Sequence, residues 1–189
     1  MRLFLALSIS AEAREVLSAL LAEFRRADPN TRWVHPASLH VTLKFIGHVA
    51  TEKLPNIEQS LARVPAPRPF DLEFRGLGFF PNDRRPAVLW VDIAAPPEVA
   101  ALATRIDEAV SGCGMARETR PFAPHLTLAR FKAPRLSEAL QTKASHYKDR
   151  SFAKQSVADF HLMESKLKSS GAEYTTLRTF PFAAQGMAQ

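Results

Sequence analysis

The sequence predicts an α+β fold made of two related halves, and three observations carry that prediction. Apolar runs of strand length alternate with segments whose apolar residues recur at helical spacing. The pattern His-x-Thr-Leu occurs twice, at His40–Leu43 and at His125–Leu128, separated by close to half of the 189 residues. There is no glycine-rich phosphate loop, and 7 glycines in all leave little room for one.

In chain order, residues 2–9 read as an apolar strand. Val16, Leu17, Leu20, Leu21 and Phe24 then share a helical face behind the candidate cap Ser10, and Asp28-Pro29 ends that helix. A second strand covers 40–46. Thr51 caps a helix with Leu54, Ile57 and Leu61 on one face, and Pro65, Pro67 and Pro69 make a loop after it. Residues 70–80 and 87–94 pair around Pro81-Asn82-Asp83, with Val88 to Val91 apolar on both faces, as a central strand is. A third helix uses Val99, Leu102, Ile106 and Val110 and stops at Gly112. A strand at 125–131, a polar helix near 137–148 and strands near 152–163 and 172–182 complete the chain.

A hydrophobic fraction of 46% and a charged fraction of 23% are those of an ordinary globular protein, which argues against disorder and fibrous folds. The length suits one core, so residues 1–183 are expected to form one domain, with 184–189 as a frayed tail. No apolar run reaches the roughly 20 residues of a membrane span. The stretch Met1–Ser10 resembles a secretory leader but is too short for one and reads as a buried strand. Cys113, the one cysteine, rules out an internal disulfide and fits a reducing compartment, so a cytoplasmic location is expected. The net charge of +6, with clusters at Arg25-Arg26, Arg84-Arg85, Arg117 with Arg120, and Lys143 to Arg150, favours a polyanionic partner such as nucleic acid.

The duplicated motif carries the chemistry. With 6 histidines, 10 threonines and 21 leucines, chance supplies about 0.04 copies of His-x-Thr-Leu, so two copies point to a duplicated half. Side chains alternate faces along a strand, so His40 projects with Thr42, and His125 with Thr127, while the intervening Val41 and Leu126 point to the core. A two-fold relation between the halves would bring two imidazoles and two hydroxyls onto one space able to hold a phosphate. Neither copy has a nearby carboxylate or cysteine, so a zinc site is disfavoured and no metal or cofactor is expected. His35, His48, His146 and His161 have no echo and read as surface or loop residues. Lys44 has the parity of His40 and would face the same space, whereas Arg130 has the opposite parity from His125 and reaches the phosphate only if the strand twists or ends nearby. Phe80 and Phe122 offer aromatic faces, for packing or for a base.

These motifs resemble those of the two-histidine (2H) phosphoesterase superfamily. Their context is similar to the bacterial and archaeal RNA 2′,3′-cyclic phosphodiesterases, also called 2′-5′ RNA ligases. It includes Arg2–Ala6, Trp33-Val34, Leu39–Gly47, Phe80-Pro81, Pro86–Trp90, Phe122–Arg130, Glu164–Leu167, Gly171, Tyr174 and Leu177. The resemblance implies a bilobal pseudo-two-fold fold, two antiparallel-rich sheets flanked by helices around a central cleft. It implies metal-independent hydrolysis of a terminal 2′,3′-cyclic phosphate of RNA, or of a related small cyclic phosphate, to a 2′-phosphomonoester. By the same resemblance His40 is the proton donor to the leaving oxygen and His125 the proton acceptor from water, with Thr42, Thr127, Arg130 and Lys44 as phosphate ligands. The chain is expected to act as a monomer and away from membranes. Reverse 2′-5′ ligation stays open by reversibility. A second class also stays open, a non-catalytic protein that binds RNA ends in the same cleft, although retention of both histidines favours the enzyme.

Overall fold

The computed structural model describes residues 1–132, 137–168 and 171–183. Strand β1 (Arg2–Leu7) leads into helix α1 (Ala11–Ala27), and Ser10 caps that helix by accepting from the Ala13 N–H at 3.1 Å. A two-residue strand β2 (Arg32–Trp33) follows, then β3 (Val41–His48), α2 (Leu54–Ala62), β4 (Phe70–Phe80) and β5 (Val88–Ala94). The second half holds α3 (Pro97–Ser111), β6 (His125–Arg130), α4 (Glu138–Ser145), β7 (Ser151–Val157), β8 (Asp159–Lys168) and β9 (Gly171–Pro181).

The strands form two antiparallel sheets, β3-β1-β8-β9 and β2-β6-β5-β4-β7. The expected architecture is therefore present, and the duplication can be traced in it. The unit β1-α1-β3 is repeated as β5-α3-β6, and each half sends a later strand to the other sheet: β4 follows the first unit and lies beside β5, whereas β7 stays in the sheet of the second unit and β8 then crosses to lie beside β1. The helices cross as well, since α3 packs on β3 and α1 on β7. Crossing ties each lobe to residues from both halves of the chain.

One irregularity is duplicated too. Between β1 and β3 the register passes from Leu5–Lys44 to Ala6–Thr42, skipping Leu43. Between β5 and β6 it passes from Leu89–Ala129 to Trp90–Thr127, skipping Leu128. A bulge gives one strand an extra residue and reverses its alternation from that point. Leu43 and Lys44 are accordingly buried in succession, as are Leu128 and Ala129, and the next residues, Phe45 and Arg130, are exposed.

Leu3, Leu5 and Leu7 of β1 and Leu89, Val91 and Ile93 of β5 are buried, forming the middle of the core with Leu17, Phe24, Leu102 and Ile106 from the helices. Each contributes on the order of 1.5–3 kcal/mol by leaving water. The buried Gln155 of β7 joins the lobes, accepting from Ser10 N–H at 2.8 Å and donating to Ser8 C=O at 2.9 Å.

Some expectations are corrected. Val16 is 42% exposed, because the buried stripe of α1 runs through Ala13, Leu17, Leu20, Leu21 and Phe24. Thr51 opens a short 3-10 turn, Thr51–Lys53, and α2 follows without a side-chain cap. The strand read at 152–163 is two strands in different sheets, broken at Ala158, and β2 is too short to show a period. The expected tail at 184–189 lies outside the described residues. No described helix is long and apolar enough to cross a membrane.

Candidate active site

His40 sits at the entry to β3 and His125 is the first residue of β6, one in each sheet. The two motif strands meet where the lobes join, and beside that junction Val34 N–H, just past β2, donates to Leu128 C=O of β6 at 2.8 Å. His40 Nδ1 lies 2.8 Å from the Ser38 carbonyl, and His125 Nδ1 lies 2.8 Å from the Ala123 carbonyl. A carbonyl can only accept, so each Nδ1 carries hydrogen and each neutral imidazole offers an unprotonated Nε2. The carbonyl stands two residues before its histidine in both halves, an orienting contact duplicated with the motif. His40 Nε2 is 3.1 Å from Thr42 Oγ1. The turn before His40 is held from α1, where the Arg14 guanidinium donates to Pro36 C=O at 2.7 Å.

Aromatic rings wall both imidazoles. Phe4 and Tyr174 lie 4.9 Å and 5.1 Å from the His40 ring centre, and Phe80 and Trp90 lie 5.0 Å and 6.4 Å from that of His125. Trp90 stacks on Phe80 at 4.9 Å and covers Gly78, where any Cβ would collide with the indole. Phe80 is thus committed to supporting His125, and Phe122 packs partly buried against the core. Phe4, Trp90 and Tyr174 stand out as site residues only in the structure. Phe4 and Trp90 lie in apolar runs that read as strand interior, and only pairing across the sheet shows which face they take.

Burial pushes the His40 pKa down, the Ser38 carbonyl opposes that, and the positive charges of Arg130 and His125 push it down further. His40, Arg130 and His125 therefore share one electrostatic space. The bulge explains how Arg130 gets there: alternation alone would turn it away from His125, and the extra residue at Leu128 turns it back onto the face of His125 and Thr127.

The same bulge overturns the expectation for Lys44. Its parity with His40 is broken at Leu43, so Lys44 is buried on the helix side of the sheet. Its ammonium pairs with Asp107 of α3 at 2.5 Å and donates to Ala116 C=O at 2.9 Å, on the opposite side of the sheet from His40 and Thr42. Asp107 also accepts from Glu118 N–H at 3.0 Å. Burial raises the Asp107 pKa, but the hydrogen bonds from Lys44 and Glu118 outweigh it and hold the carboxyl below its usual range. His161 is also corrected, since it lies within β8 with Nε2 3.0 Å from Asp159 and Nδ1 3.0 Å from Thr179.

Among the described residues no group of three His, Cys, Asp or Glu side chains is placed to hold a metal ion. A cavity of about 680 Å³ opens between α1 and α4, lined by Glu23, Lys143, His146, Tyr147 and Arg150. It contains none of the motif residues, and its Glu23 is already bonded to Lys143 and Tyr147.

A sequence profile of the 2′-5′ RNA ligase superfamily matches residues 8–168, which include both motifs. The chain belongs to that superfamily. A superfamily member of Archaeoglobus fulgidus named RNA 2′,3′-cyclic phosphodiesterase is 35% identical over 95% of this chain and 99% of its own length. One of Thermus thermophilus bearing the same name is 35% identical over 95% and 89%. Among solved structures, a Thermus thermophilus protein aligns with a TM-score of 0.80 at 30% identity over 96% and 98% of the two chains. E. coli LigT complexed with 3′-AMP aligns with a TM-score of 0.78 at 26% identity over 97% and 98%. The two-histidine phosphoesterase resemblance of the sequence and the fold it implied are thus those of the superfamily.

Proposed function

We propose that this chain is a hydrolase, an RNA 2′,3′-cyclic phosphodiesterase that opens a terminal cyclic phosphate to a 2′-phosphomonoester by acid–base catalysis between His40 and His125. The observation that carries the reading is the pair of imidazoles, one from each sheet, each fixed by a backbone carbonyl and sharing one electrostatic space with Arg130. The names of the superfamily's relatives at 35% identity support the substrate class.

In the proposed step His125 Nε2 takes a proton from water as the water oxygen attacks phosphorus. The bond from phosphorus to the 3′-oxygen breaks, and protonated His40 gives its proton to that oxygen. Burial and the Arg130 charge hold free His40 toward the neutral form, and a negative phosphate bound beside Arg130 opposes the second of these effects, which readies His40 as the acid. Thr42 and Thr127 hydroxyls and the Arg130 guanidinium donate to the non-bridging oxygens, where negative charge grows. Protein donors thereby fill the role a metal would have, so the reaction is metal-independent. With a 5′-hydroxyl in place of water as the nucleophile, the same opening of the cyclic phosphate would make a 2′-5′ linkage, the 3′-oxygen leaving with the His40 proton, and the reverse reaction would cleave that linkage. We place the protein in the cytoplasm as a monomer, on its single cysteine and its self-contained pair of motifs.

The test is turnover of an oligoribonucleotide ending in a 2′,3′-cyclic phosphate, after dialysis against EDTA. Full activity with a 2′-phosphate product is expected. Activity lost to the chelator and restored by zinc or manganese would replace this mechanism with a metal one. Binding of the end without turnover would leave the non-catalytic reading.

A further inference from the structure

The row of residues at the lip of the β6 sheet is Arg32, Arg130, Val88 and Phe80, read across β2, β6, β5 and β4. Arg32 and Arg130 are direct cross-strand partners, and both are exposed. Trp33 turns inward against Phe24 at 6.2 Å, which sends Arg32 to the face carrying His125, Thr127 and Arg130. Like charges directly opposite on neighbouring strands destabilise a sheet. The row continues past Phe80 and Val88 into the turn between β4 and β5, where Arg84 and Arg85 are exposed, and Phe131 N–H donates to Ala87 C=O at 2.9 Å, bringing exposed Lys132 alongside. Asp83 is the one acid in that turn. Among the described residues none of the five cations Arg32, Arg84, Arg85, Arg130 and Lys132 is in an ion pair.

The direction in which this edge leaves the cleft is set by the chain. Residues 32–34 run antiparallel to 128–130 and then enter the turn that delivers His40, and the charge of Arg130, the cross-strand partner of Arg32 at this edge, bears on the His40 imidazole, so the arginine edge adjoins the His40 side. His40 is the imidazole assigned to the leaving 3′-oxygen, hence the side on which the ribose and the rest of an RNA strand must lie.

We propose that Arg32, Arg84, Arg85 and Lys132 form a backbone track for the nucleotides upstream of the cyclic phosphate, so that the enzyme is built for the ends of RNA strands and not for cyclic mononucleotides. This rests on the phosphodiesterase reading and on the role of His40 within it. Phosphate contacts of this kind position a strand without reading its sequence, and each adds to the salt dependence of binding.

The experiment compares two substrates, an oligoribonucleotide with a 2′,3′-cyclic phosphate end and a 2′,3′-cyclic mononucleotide, in the double variant Arg84→Ser with Arg85→Ser and separately in Arg32→Ser. Both leave the turn's Asn82 bonds to the backbone N–H groups of residues 84 and 85 in place. For the double variant, KM for the oligonucleotide should rise about tenfold, and the slope of log kcat/KM against log salt should fall by about 0.7 per arginine removed. Kinetics on the mononucleotide should not change. An equal effect on both substrates, or none on either, overturns the track. Binding of a labelled oligoribonucleotide bearing a 2′-phosphate, followed by anisotropy, reads the track without turnover. If wild type hydrolyses neither substrate, the phosphodiesterase reading fails, and binding unchanged by the variants would overturn the track separately.

Discussion

Lys44 and Ala129 occupy one position of the duplicated strand, each the buried residue that follows the bulge. In the second half a methyl group fills that place at 0% exposure, and in the first half it holds a lysine at 6%. A buried ammonium is stable only when paired and hydrogen-bonded, and Asp107 and the Ala116 carbonyl supply both needs. The pair fastens the segment before His125 to β3, so a core position of one half braces the motif of the other.

Lys44→Ala should therefore cost stability more than phosphate binding. The change leaves Asp107 without its cation, a loss of about 3 kcal/mol on the scale of broken buried pairs. Thermal melts beside titration with inorganic phosphate separate the effects. A lowered Tm with phosphate affinity kept within about threefold is expected. Loss of phosphate binding at unchanged Tm would return Lys44 to the cleft.

Arg130→Lys keeps the charge and discards the two-pronged guanidinium. If that fork holds two phosphate oxygens, the substitution should raise KM about tenfold while Tm stays put, because Arg130 is exposed. Arg130→Ala should also lift the His40 pKa, since the Arg130 charge is one of the forces depressing it. An NMR titration of the His40 ring checks the direction. An unmoved titration would place Arg130 away from the imidazole.

The depressed His40 pKa makes folding pH-dependent. Unfolded, this histidine titrates near 6.5; folded, it holds its proton less tightly. Its contribution is thus present above about pH 6.5 and is lost as pH falls through the folded value, because protons then favour the unfolded chain. Wild type should lose stability between pH 7 and 5 more steeply than His40→Ala, by urea unfolding at each pH. Equal slopes would show that His40 titrates alike in both states.

Much of this site could be read from the sequence, for a specific reason. Strand alternation places His40 with Thr42 and His125 with Thr127 over a span of three residues, too short for an irregularity to intervene. Beyond it, parity failed for Lys44, which turned away, and understated the case for Arg130, which turned in, because both lie past a bulge that composition does not mark. The break at Ala158 was hidden in the same way, since β7 and β8 are continuous in pattern and belong to different sheets. The aromatic walls could not be assigned from single strands at all. Tyr174 reaches His40 from β9, more than 130 residues away in sequence, by the curl of the sheet.

The two threonines separate positioning from proton transfer. Each shares a face with its histidine on the near side of the bulge, Thr42 opposite Ala6 and Thr127 opposite Trp90. In the proposed mechanism neither exchanges a proton with water or leaving group, so loss of a hydroxyl should remove charge stabilisation while the imidazoles remain. Valine keeps the β-branched shape that suits a strand. Thr42→Val and Thr127→Val should each lower kcat/KM by about 2–4 kcal/mol of transition-state stabilisation, the scale of one oxyanion donor, with Tm nearly unchanged. The two variants should differ in one respect. Thr42 Oγ1 lies 3.1 Å from His40 Nε2, and as donor to the neutral ring it favours the unprotonated form, so Thr42→Val should shift the His40 limb of the pH–rate profile upward. Thr127 makes no such described contact with His125, and Thr127→Val should leave both limbs in place. A pH–rate profile and a melt for each variant decide the matter: unchanged turnover, or unfolding of either variant, would mean that these hydroxyls serve the core and not the phosphate.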